Sequence, residues 1–282
     1  MPELPEVETI LRGLTPVMSG GLIEKAEVNR HDLRWPLPER MAHQLTGQRI
    51  TRLHRRSKFI LAELSSNKTL LIHLGMSGRL SVSYNTSSSS TMHFISKKHD
   101  HVLLHLDSGK TVTYNDPRRF GMMDLCSTSA ITQHKLLLNL GPEPFDEQFN
   151  IEYLTRILKD KRSPIKNVLL NQKIIAGLGN IYVCETLFRA CIHPKREGAQ
   201  ISRRRITRLV PIIKEVLQDA INAGGSSLRD YRQTNGELGY FQHAFDVYGR
   251  EGKKCRRFHC AGTIKRITQS GRSSFFCSKC QR

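Results

Sequence analysis

The sequence predicts an α+β protein of several domains, and three observations support this prediction. The first half of the chain is rich in short β-type segments, the second half shows helical periodicity, and four of the seven cysteines cluster near the end. At 282 residues the chain also exceeds the usual size of a single domain. We place the domains at residues 1–135, 136–245 and 246–282.

The first domain is predicted to be a β-sandwich or flattened barrel with a flanking helix. Pro5 suits the first turn of this helix, and apolar residues recur on one face over 7–14. The tract 85–90 is polar and serine-rich, which indicates a loop. The clearest strand segments are short, β-rich and bounded by Gly, Asn or Ser: 69–74, 102–106 and 111–114.

The second domain is predicted to be helical and to begin near the Gly-Pro-Glu-Pro segment 141–144. A short helix follows a Ser-Pro cap at 163–164, and glycines at 177 and 179 separate it from a second helix over 181–190. The implied unit is a helix, two turns and a helix. A longer amphipathic helix follows Ser202, and Pro211 is expected to kink or divide it.

The third domain carries a metal-ligand pattern, Cys255-x4-Cys260-x16-Cys277-x2-Cys280. Two cysteine pairs at this separation are typical of a structural Zn²⁺ site with four thiolate ligands. The first pair is wider than the commonest two-residue spacing, so His259 remains a competing donor to Cys260. Between the pairs the sequence indicates a β-hairpin with its tip at residues 271–272.

The charge balance indicates a polyanionic partner. The chain has 44 Lys and Arg against 25 Asp and Glu, a net charge of +19. Residues 253–282 contain nine Lys or Arg and no acidic residue. Such an excess favours binding to phosphate backbones with strong salt dependence, although a merely basic surface would look the same. No signal peptide or membrane span is evident, so we expect a cytoplasmic protein.

The N-terminus offers a nucleophile. Methionine before a small residue is normally removed, and its loss would expose the secondary amine of Pro2. An α-amino group has a pKa of about 8, against about 10.4 for lysine, so more of it is neutral near pH 7. Attack on a sugar carbon would form a Schiff base, with Glu3 transferring protons and Glu6 balancing charge. The alternative interpretation is structural, since proline and acidic residues at the start of a helix are also ordinary capping residues.

Nine short motifs are distributed over nearly the whole chain: 1–9, 33–36, 55–58, 73–78, 98–101, 116–121, 141–144, 179–182 and 239–241. Together they resemble the bacterial formamidopyrimidine-DNA glycosylase family. The resemblance implies an N-terminal β-sandwich with flanking helices, a helix-two-turn-helix domain and a zinc-bound β-hairpin. It also implies a bifunctional DNA glycosylase/AP lyase of base excision repair, which removes 8-oxoguanine and formamidopyrimidines from duplex DNA by β,δ-elimination.

The resemblance also implies catalytic roles for individual residues. Pro2 would be the Schiff-base nucleophile and Glu3 the acid of the glycosidase step. Lys58 would be the proton donor of β-elimination, and Arg272 that of δ-elimination. A cation beside a departing phosphate stabilises the charge that develops there, so both residue types suit these roles.

A second set of residues would bind DNA. His99, Arg118 and Lys161 match DNA-binding positions of the family. Asn180 lies where the second turn meets a helix start, which is a natural place to hold phosphate. Met76, Arg118 and Phe120 match a wedge that fills the gap left by a flipped nucleotide. The loop that begins at 225–230 corresponds to the lesion-recognition loop.

The implied partner is double-stranded DNA carrying oxidised bases or abasic sites, bound by a monomer in the bacterial nucleoid with one structural Zn²⁺. Two other functions remain open from the sequence. One is an endonuclease VIII-like glycosylase for oxidised pyrimidines, which Leu4 and the segment 73–78 disfavour. The other is a non-catalytic zinc-ribbon protein that binds DNA.

Overall fold

The computed structural model describes residues 1–84, 98–226, 234 and 237–282. The predicted polar loop 85–90 and residues 227–230 of the predicted lesion-recognition loop lie outside this part of the chain. The fold divides into two compact units. Unit 1 comprises Met1–Leu138 with Gly224–Gly239, and unit 2 comprises Asn139–Ala223 with Tyr240–Arg282.

Unit 1 is a β-sandwich of two four-stranded antiparallel sheets, which confirms the predicted fold of the first domain. The strand orders are β1-β6-β7-β5 and β2-β3-β4-β8. Apolar side chains from both sheets meet in one core, which includes Ile60, Ile72 and Val102. The strands are β1 Ile23–Val28, β2 Ile50–Arg56, β3 Phe59–Leu64, β4 Lys68–His73, β5 Arg79–Tyr84, β6 Asp100–Leu106, β7 Lys110–Asn115 and β8 Met122–Ser127.

Two helices flank the sandwich, α1 (Leu4–Met18) and α2 (Met41–Leu45). Helix α1 begins one residue before Pro5, which occupies its second position, and Glu3 is its N-cap. Its apolar face packs into the sandwich core through residues such as Ile10 and Leu14. The core therefore fixes the position of the chain's first residues.

Unit 2 contains the helices α3 (Ile151–Leu158), α4 (Ile165–Leu170), α5 (Asn180–Arg189) and α6 (Arg203–Asn222). Helix α4, the turns after it and α5 form the predicted helix-two-turn-helix unit. The Gln172 side chain braces these turns, because it donates to the Leu178 carbonyl at 2.7 Å and accepts from the Gly177 amide at 2.9 Å. Gly177 has a φ of 82°, a conformation that favours glycine.

Helix α6 continues through Pro211 as one helix, so of the two predicted effects of this proline the division does not occur. Proline removes one backbone hydrogen bond and typically costs a helix interior about 3 kcal/mol. Here an apolar face before and after the proline is buried in the unit 2 core, including Leu209 and Ile213. Tertiary packing therefore outweighs the local preference.

A two-stranded hairpin ends unit 2, with β9 at Ile264–Gln269 and β10 at Arg272–Cys277. The turn lies at Ser270 and Gly271, whose φ values of 46° and 71° suit a tight hairpin turn. The turn lies one residue earlier than the predicted tip at 271–272, because Arg272 is already the first residue of β10 and pairs with Gln269. Within the described part of the chain, no helix has the length and apolar character that a membrane span requires.

Candidate active site and metal centre

The N-terminal site is built on the first turn of α1. Pro2 is buried, and only 4% of Glu3 is exposed. The Glu3 backbone amide donates to Glu6 Oε2 at 2.8 Å. The structure includes Met1, so the Pro2 nitrogen lies in a peptide bond and becomes an amine only when Met1 is removed.

The second carboxylate oxygen of Glu6 binds a distant segment of unit 1. Glu6 Oε1 accepts hydrogen bonds from the Ser226 amide and the Ser226 hydroxyl, both at 2.9 Å. Glu6 is itself 2% exposed, so these charge-assisted bonds lie in the interior. One buried carboxylate thus joins the N-terminus to the start of the predicted lesion-recognition loop.

Lys58 lies in the tight turn between β2 and β3 and is 7% exposed. Ser57 in this turn has a φ of 55°, and its carbonyl accepts a hydrogen bond from Arg55 Nη1 at 3.0 Å. Arg55 Nε donates to Glu8 of α1 at 2.9 Å. Burial opposes ionisation of Glu8, but hydrogen bonds from Arg55 and Arg12 outweigh it and lower the Glu8 pKa. This ion pair connects the Lys58 turn to α1.

His73 at the end of β4 was not assigned a role from the sequence. Burial, together with the positive charges of Lys58 and Arg34, lowers the pKa of His73 to about 4. The ring is therefore neutral at pH 7, and its Nδ1 accepts the Gly75 amide at 3.1 Å. His73 places a neutral imidazole beside the predicted catalytic lysine.

The predicted wedge residues come together in unit 1. A cavity of about 570 Å³ is lined by Met76, Arg118 and Phe120 together with Met1 and His73. Met76 and Phe120 are 39% and 42% exposed. The Arg118 guanidinium lies 4.8 Å from the centre of the Phe120 ring. These exposed side chains are available for contact with a ligand.

His99 is half-buried just before β6, and its carbonyl accepts the Asp116 amide at 3.1 Å. Asp116 begins the loop that carries Arg118 and Phe120. His99 therefore belongs to the same part of unit 1 as the wedge. Sequence spacing alone could not bring residues 99 and 116 together with Met76.

In unit 2, Arg272 is exposed at the start of β10, and the half-buried Asn180 and the buried Lys166 hold the strand beside it. Asn180 Nδ2 donates to the Ser273 carbonyl at 3.0 Å. Lys166, which is fully buried on α4, donates from Nζ to the same carbonyl at 2.9 Å and to Ser274 Oγ at 2.6 Å. Sequence reasoning missed Lys166, whose position in an apolar helix was the only signal.

Lys161 lies after α3 and is exposed. Its backbone is fixed, because its carbonyl accepts the Ala199 amide at 2.8 Å and its amide donates to Leu158. A side chain at Gly198 would approach Lys161 Cβ to 2.9 Å, so the two segments touch closely. A cation on a rigid backbone suits phosphate binding.

The four C-terminal cysteines form a metal centre. All four Sγ atoms lie within 4.8 Å of one another. The distances are 3.8 Å for Cys255–Cys280, 3.7 Å for Cys260–Cys277 and 3.2 Å for Cys260–Cys280. Tetrahedral Zn²⁺ with bonds of about 2.3 Å places its sulfur ligands about 3.8 Å apart. The thiols therefore fit a structural zinc.

The wider first spacing does not displace a ligand. His259 is exposed, with a φ of 57°, and its ring contacts Phe258 at 3.9 Å. It is not part of the cysteine cluster. The two additional residues are accommodated in this exposed turn, and the four-cysteine set is retained.

Three family models cover most of the chain. The formamidopyrimidine-DNA glycosylase N-terminal domain matches residues 1–123, and the H2TH domain of the same enzymes matches 140–232. The zinc finger found in FPG and IleRS matches residues 252–282. These matches fall on the β-sandwich, the helix-two-turn-helix unit and the zinc ribbon described above.

Full-length relatives agree with this assignment. A formamidopyrimidine-DNA glycosylase of Ruegeria pomeroyi is 61% identical over the whole of both chains. A Lactococcus lactis FPG variant in complex with Fapy-dG containing DNA is 35% identical, with a TM-score of 0.89 and full coverage of both chains. The wild-type Lactococcus lactis enzyme with oxidised pyrimidine containing DNA is 35% identical, with a TM-score of 0.88 and full coverage. The chain belongs to the formamidopyrimidine-DNA glycosylase family.

Proposed function

We propose that this protein excises oxidised purines from duplex DNA as a DNA glycosylase and AP lyase of base excision repair. The observation that carries the proposal is the buried N-terminal turn, in which Pro2 and Glu3 are adjacent and Glu6 fixes the Glu3 backbone. A DNA-binding zinc-ribbon protein needs no such arrangement of carboxylates. Family membership supports the same activity.

The glycosylase step begins with the free amine of Pro2. Its lone pair forms a bond to the anomeric carbon of the deoxyribose while the bond to the damaged base breaks. The base leaves with the bonding electrons and takes up the proton that the Pro2 nitrogen releases. The nitrogen lone pair then forms the iminium as the bond between the anomeric carbon and the ring oxygen breaks, and Glu3 donates the proton that this oxygen takes up.

The lyase step uses the iminium as an electron sink. Loss of a proton from the neighbouring sugar carbon expels the 3′ phosphate, and a second elimination expels the 5′ phosphate. Lys58 is proposed to assist β-elimination from its rigid turn, and Arg272 to assist δ-elimination from the hairpin. Each cation stabilises the negative charge of a departing phosphate.

The remaining proposed contacts hold the DNA. His99, Lys161 and Asn180 bind phosphates, whereas Met76, Arg118 and Phe120 fill the gap left by the flipped nucleotide. Cys255, Cys260, Cys277 and Cys280 would hold a structural Zn²⁺ as four thiolates, which would crosslink the base of the hairpin that carries Arg272. We propose that residues 225–230 contribute to base recognition.

We also propose three domains, with limits at 1–135, 136–245 and 246–282. The protein is proposed to act as a monomer at the bacterial nucleoid. A basic protein with a net charge of +19 is suited to a DNA-rich location. Sedimentation of the protein alone and with one lesion-containing duplex tests the monomer, since a 1:1 complex is expected.

Oxidised pyrimidines are the principal alternative substrates. A solved complex of a relative contains oxidised pyrimidine DNA, so family membership alone does not fix the lesion. We propose that 8-oxoguanine and formamidopyrimidines are preferred, consistent with the names of the relatives. The preference must be measured as a ratio of kcat/KM values.

The decisive experiment is borohydride trapping with the Met1-processed protein. Duplexes carry 8-oxoguanine opposite cytosine, an oxidised pyrimidine, or no lesion. A covalent adduct that forms fastest on 8-oxoguanine supports the proposal, and faster trapping on the oxidised pyrimidine would favour the alternative substrate. Binding without any adduct would indicate a non-catalytic DNA-binding protein.

A further inference from the structure

We propose that Asp116 is the positioning residue that fixes the two DNA-wedge loops relative to each other. These loops are 74–78, which carries Met76, and 116–121, which carries Arg118 and Phe120. The inference rests on the wedge role given to these side chains under the proposed function. Asp116 would not touch the reacting atoms.

The first carboxylate oxygen of Asp116 joins the loops through Ser77. Asp116 is 0% exposed, and its Oδ1 accepts the Ser77 hydroxyl at 2.6 Å. The same hydroxyl oxygen accepts the Arg118 backbone amide at 3.2 Å. Ser77 follows Met76 directly, so one short chain of hydrogen bonds connects the backbones of two wedge residues.

The second oxygen holds the other end of the second loop. Asp116 Oδ2 accepts the Gly121 amide at 2.8 Å and the Tyr114 hydroxyl at 3.3 Å. Gly121 follows Phe120 directly. Burial raises the pKa of Tyr114 well above its ordinary value, and the charge of Asp116 acts in the same direction, so the hydroxyl remains a donor.

The loops also touch without intervening side chains. Gly75 has a φ of 61°, and a Cβ there would overlap the backbone carbonyl of Phe120. A Cβ at Gly121 or Gly78 would overlap the Tyr114 hydroxyl. The backbones are in such close contact that a displacement of Asp116 would also move the wedge loops.

The Asp116 backbone extends this arrangement to a proposed phosphate contact. Its amide donates to the His99 carbonyl at 3.1 Å, and its carbonyl accepts the Arg119 amide at 3.2 Å and His101 Nε2 at 2.9 Å. One residue thus connects the segments of Met76, Arg118, Phe120 and His99. Few other positions could influence all four.

A carboxylate is required because three donors converge on it. Asparagine has the same shape but presents an NH₂ group to one of these donors, which leaves a buried hydrogen unsatisfied. Asp116→Asn therefore disturbs the wedge with little change in volume. Ser77→Ala removes only the link between the loops and should have a smaller effect.

The test compares two substrates of the processed enzyme. One is a duplex with 8-oxoguanine, in which 2-aminopurine beside the lesion reports unstacking by the wedge. The other is a single-stranded abasic oligonucleotide, which has no gap to fill but still requires the nucleophile. For Asp116→Asn we expect the single-turnover rate constant on the duplex to fall about tenfold, with a reduced fluorescence change. Borohydride trapping on the single strand should change less than twofold.

Two control variants separate the possible outcomes. Asp107→Asn alters a partly exposed carboxylate of the same unit and should behave as wild type. Met76→Ala should reproduce the fluorescence loss, and a normal signal would overturn the wedge role itself. If Met76→Ala loses the signal but Asp116→Asn keeps it, the positioning role is wrong. Equal loss on both substrates with a lowered Tm would also contradict it, because Asp116 would then only stabilise the fold.

Discussion

The N-terminal site and the zinc ribbon hold their functional groups in opposite ways. The N-terminal turn is buried and fixed by hydrogen bonds between distant residues, such as Glu6 and Ser226, which are 220 positions apart. The ribbon gathers its four thiols within a short segment, in which Cys255 and Cys280 are 25 positions apart. Arg272 lies exposed at the other end of its hairpin.

This difference indicates that the two regions depend on different sources of order. The N-terminal site forms only when unit 1 is folded, since its partners come from both ends of that unit's chain. The ribbon depends on metal coordination, as in other small zinc modules. Changes in one region should therefore leave the chemistry of the other largely intact.

The largest effect is expected for Pro2→Gly, which removes the secondary amine from the N-terminal site. Borohydride trapping should be abolished or strongly reduced, because iminium formation is the covalent step. Pro16→Ala, in the last turns of the same helix, is the matched control and should trap normally. Undiminished trapping by Pro2→Gly would show that the secondary amine is not required for the covalent step.

Removal of one zinc ligand should affect the ribbon selectively. We expect Cys277→Ser to lose bound zinc, to bind duplex DNA at least about tenfold more weakly and to accumulate the β-elimination product. Trapping on a single-stranded abasic site should persist. Cys191→Ser, outside the thiol cluster, is the control. Parallel loss of zinc and single-strand trapping would show that the two regions are not separable.

A smaller effect is expected for Lys161→Ala in unit 2. Loss of one phosphate contact should weaken binding for lesion and undamaged duplexes alike and lower the salt slope by about one. Fluorescence anisotropy over a salt series measures both quantities, with Lys214→Ala as the control. An unchanged slope would remove Lys161 from the phosphate contacts.

The smallest effect concerns pH and His73. Its folded pKa of about 4 is below the unfolded value of 6.5. Between these values the unfolded state binds more protons, so this contribution to stability is present above pH 6.5 and declines towards pH 4. Urea unfolding at pH 7 and pH 5 should show a smaller difference for His73→Gln than for wild type. The exposed control His43→Gln should retain the wild-type difference.

The two regions also differed in how far the sequence predicted them. The zinc cluster follows from local spacing, because four cysteines close in the chain have few other arrangements. The hairpin turn was predicted one residue too late, because the sequence did not identify Ser270 as a residue with positive φ. The bond between Glu6 and Ser226 could not be predicted, because no local pattern relates residues so far apart.

The wedge residues also could not be identified from local sequence patterns. Met76 and Phe120 look like core residues in the sequence, and only family resemblance singled them out. The structure adds that both are exposed on one cavity. Asp116 lies in one of the matching segments, but no role was assigned to it from the sequence. Its three side-chain donors are Ser77, Tyr114 and Gly121, and only the structure brings Ser77 to it from another segment of the chain.

The measurement that tests the central claim most directly is peptide mapping of the borohydride-trapped adduct. Wild-type protein is reacted with a duplex containing 8-oxoguanine opposite cytosine, digested and analysed by mass spectrometry. We predict that the sugar remnant lies on the amine of Pro2 in a peptide that lacks Met1. A remnant on a lysine side chain, or an adduct on protein that retains Met1, would contradict the proposal.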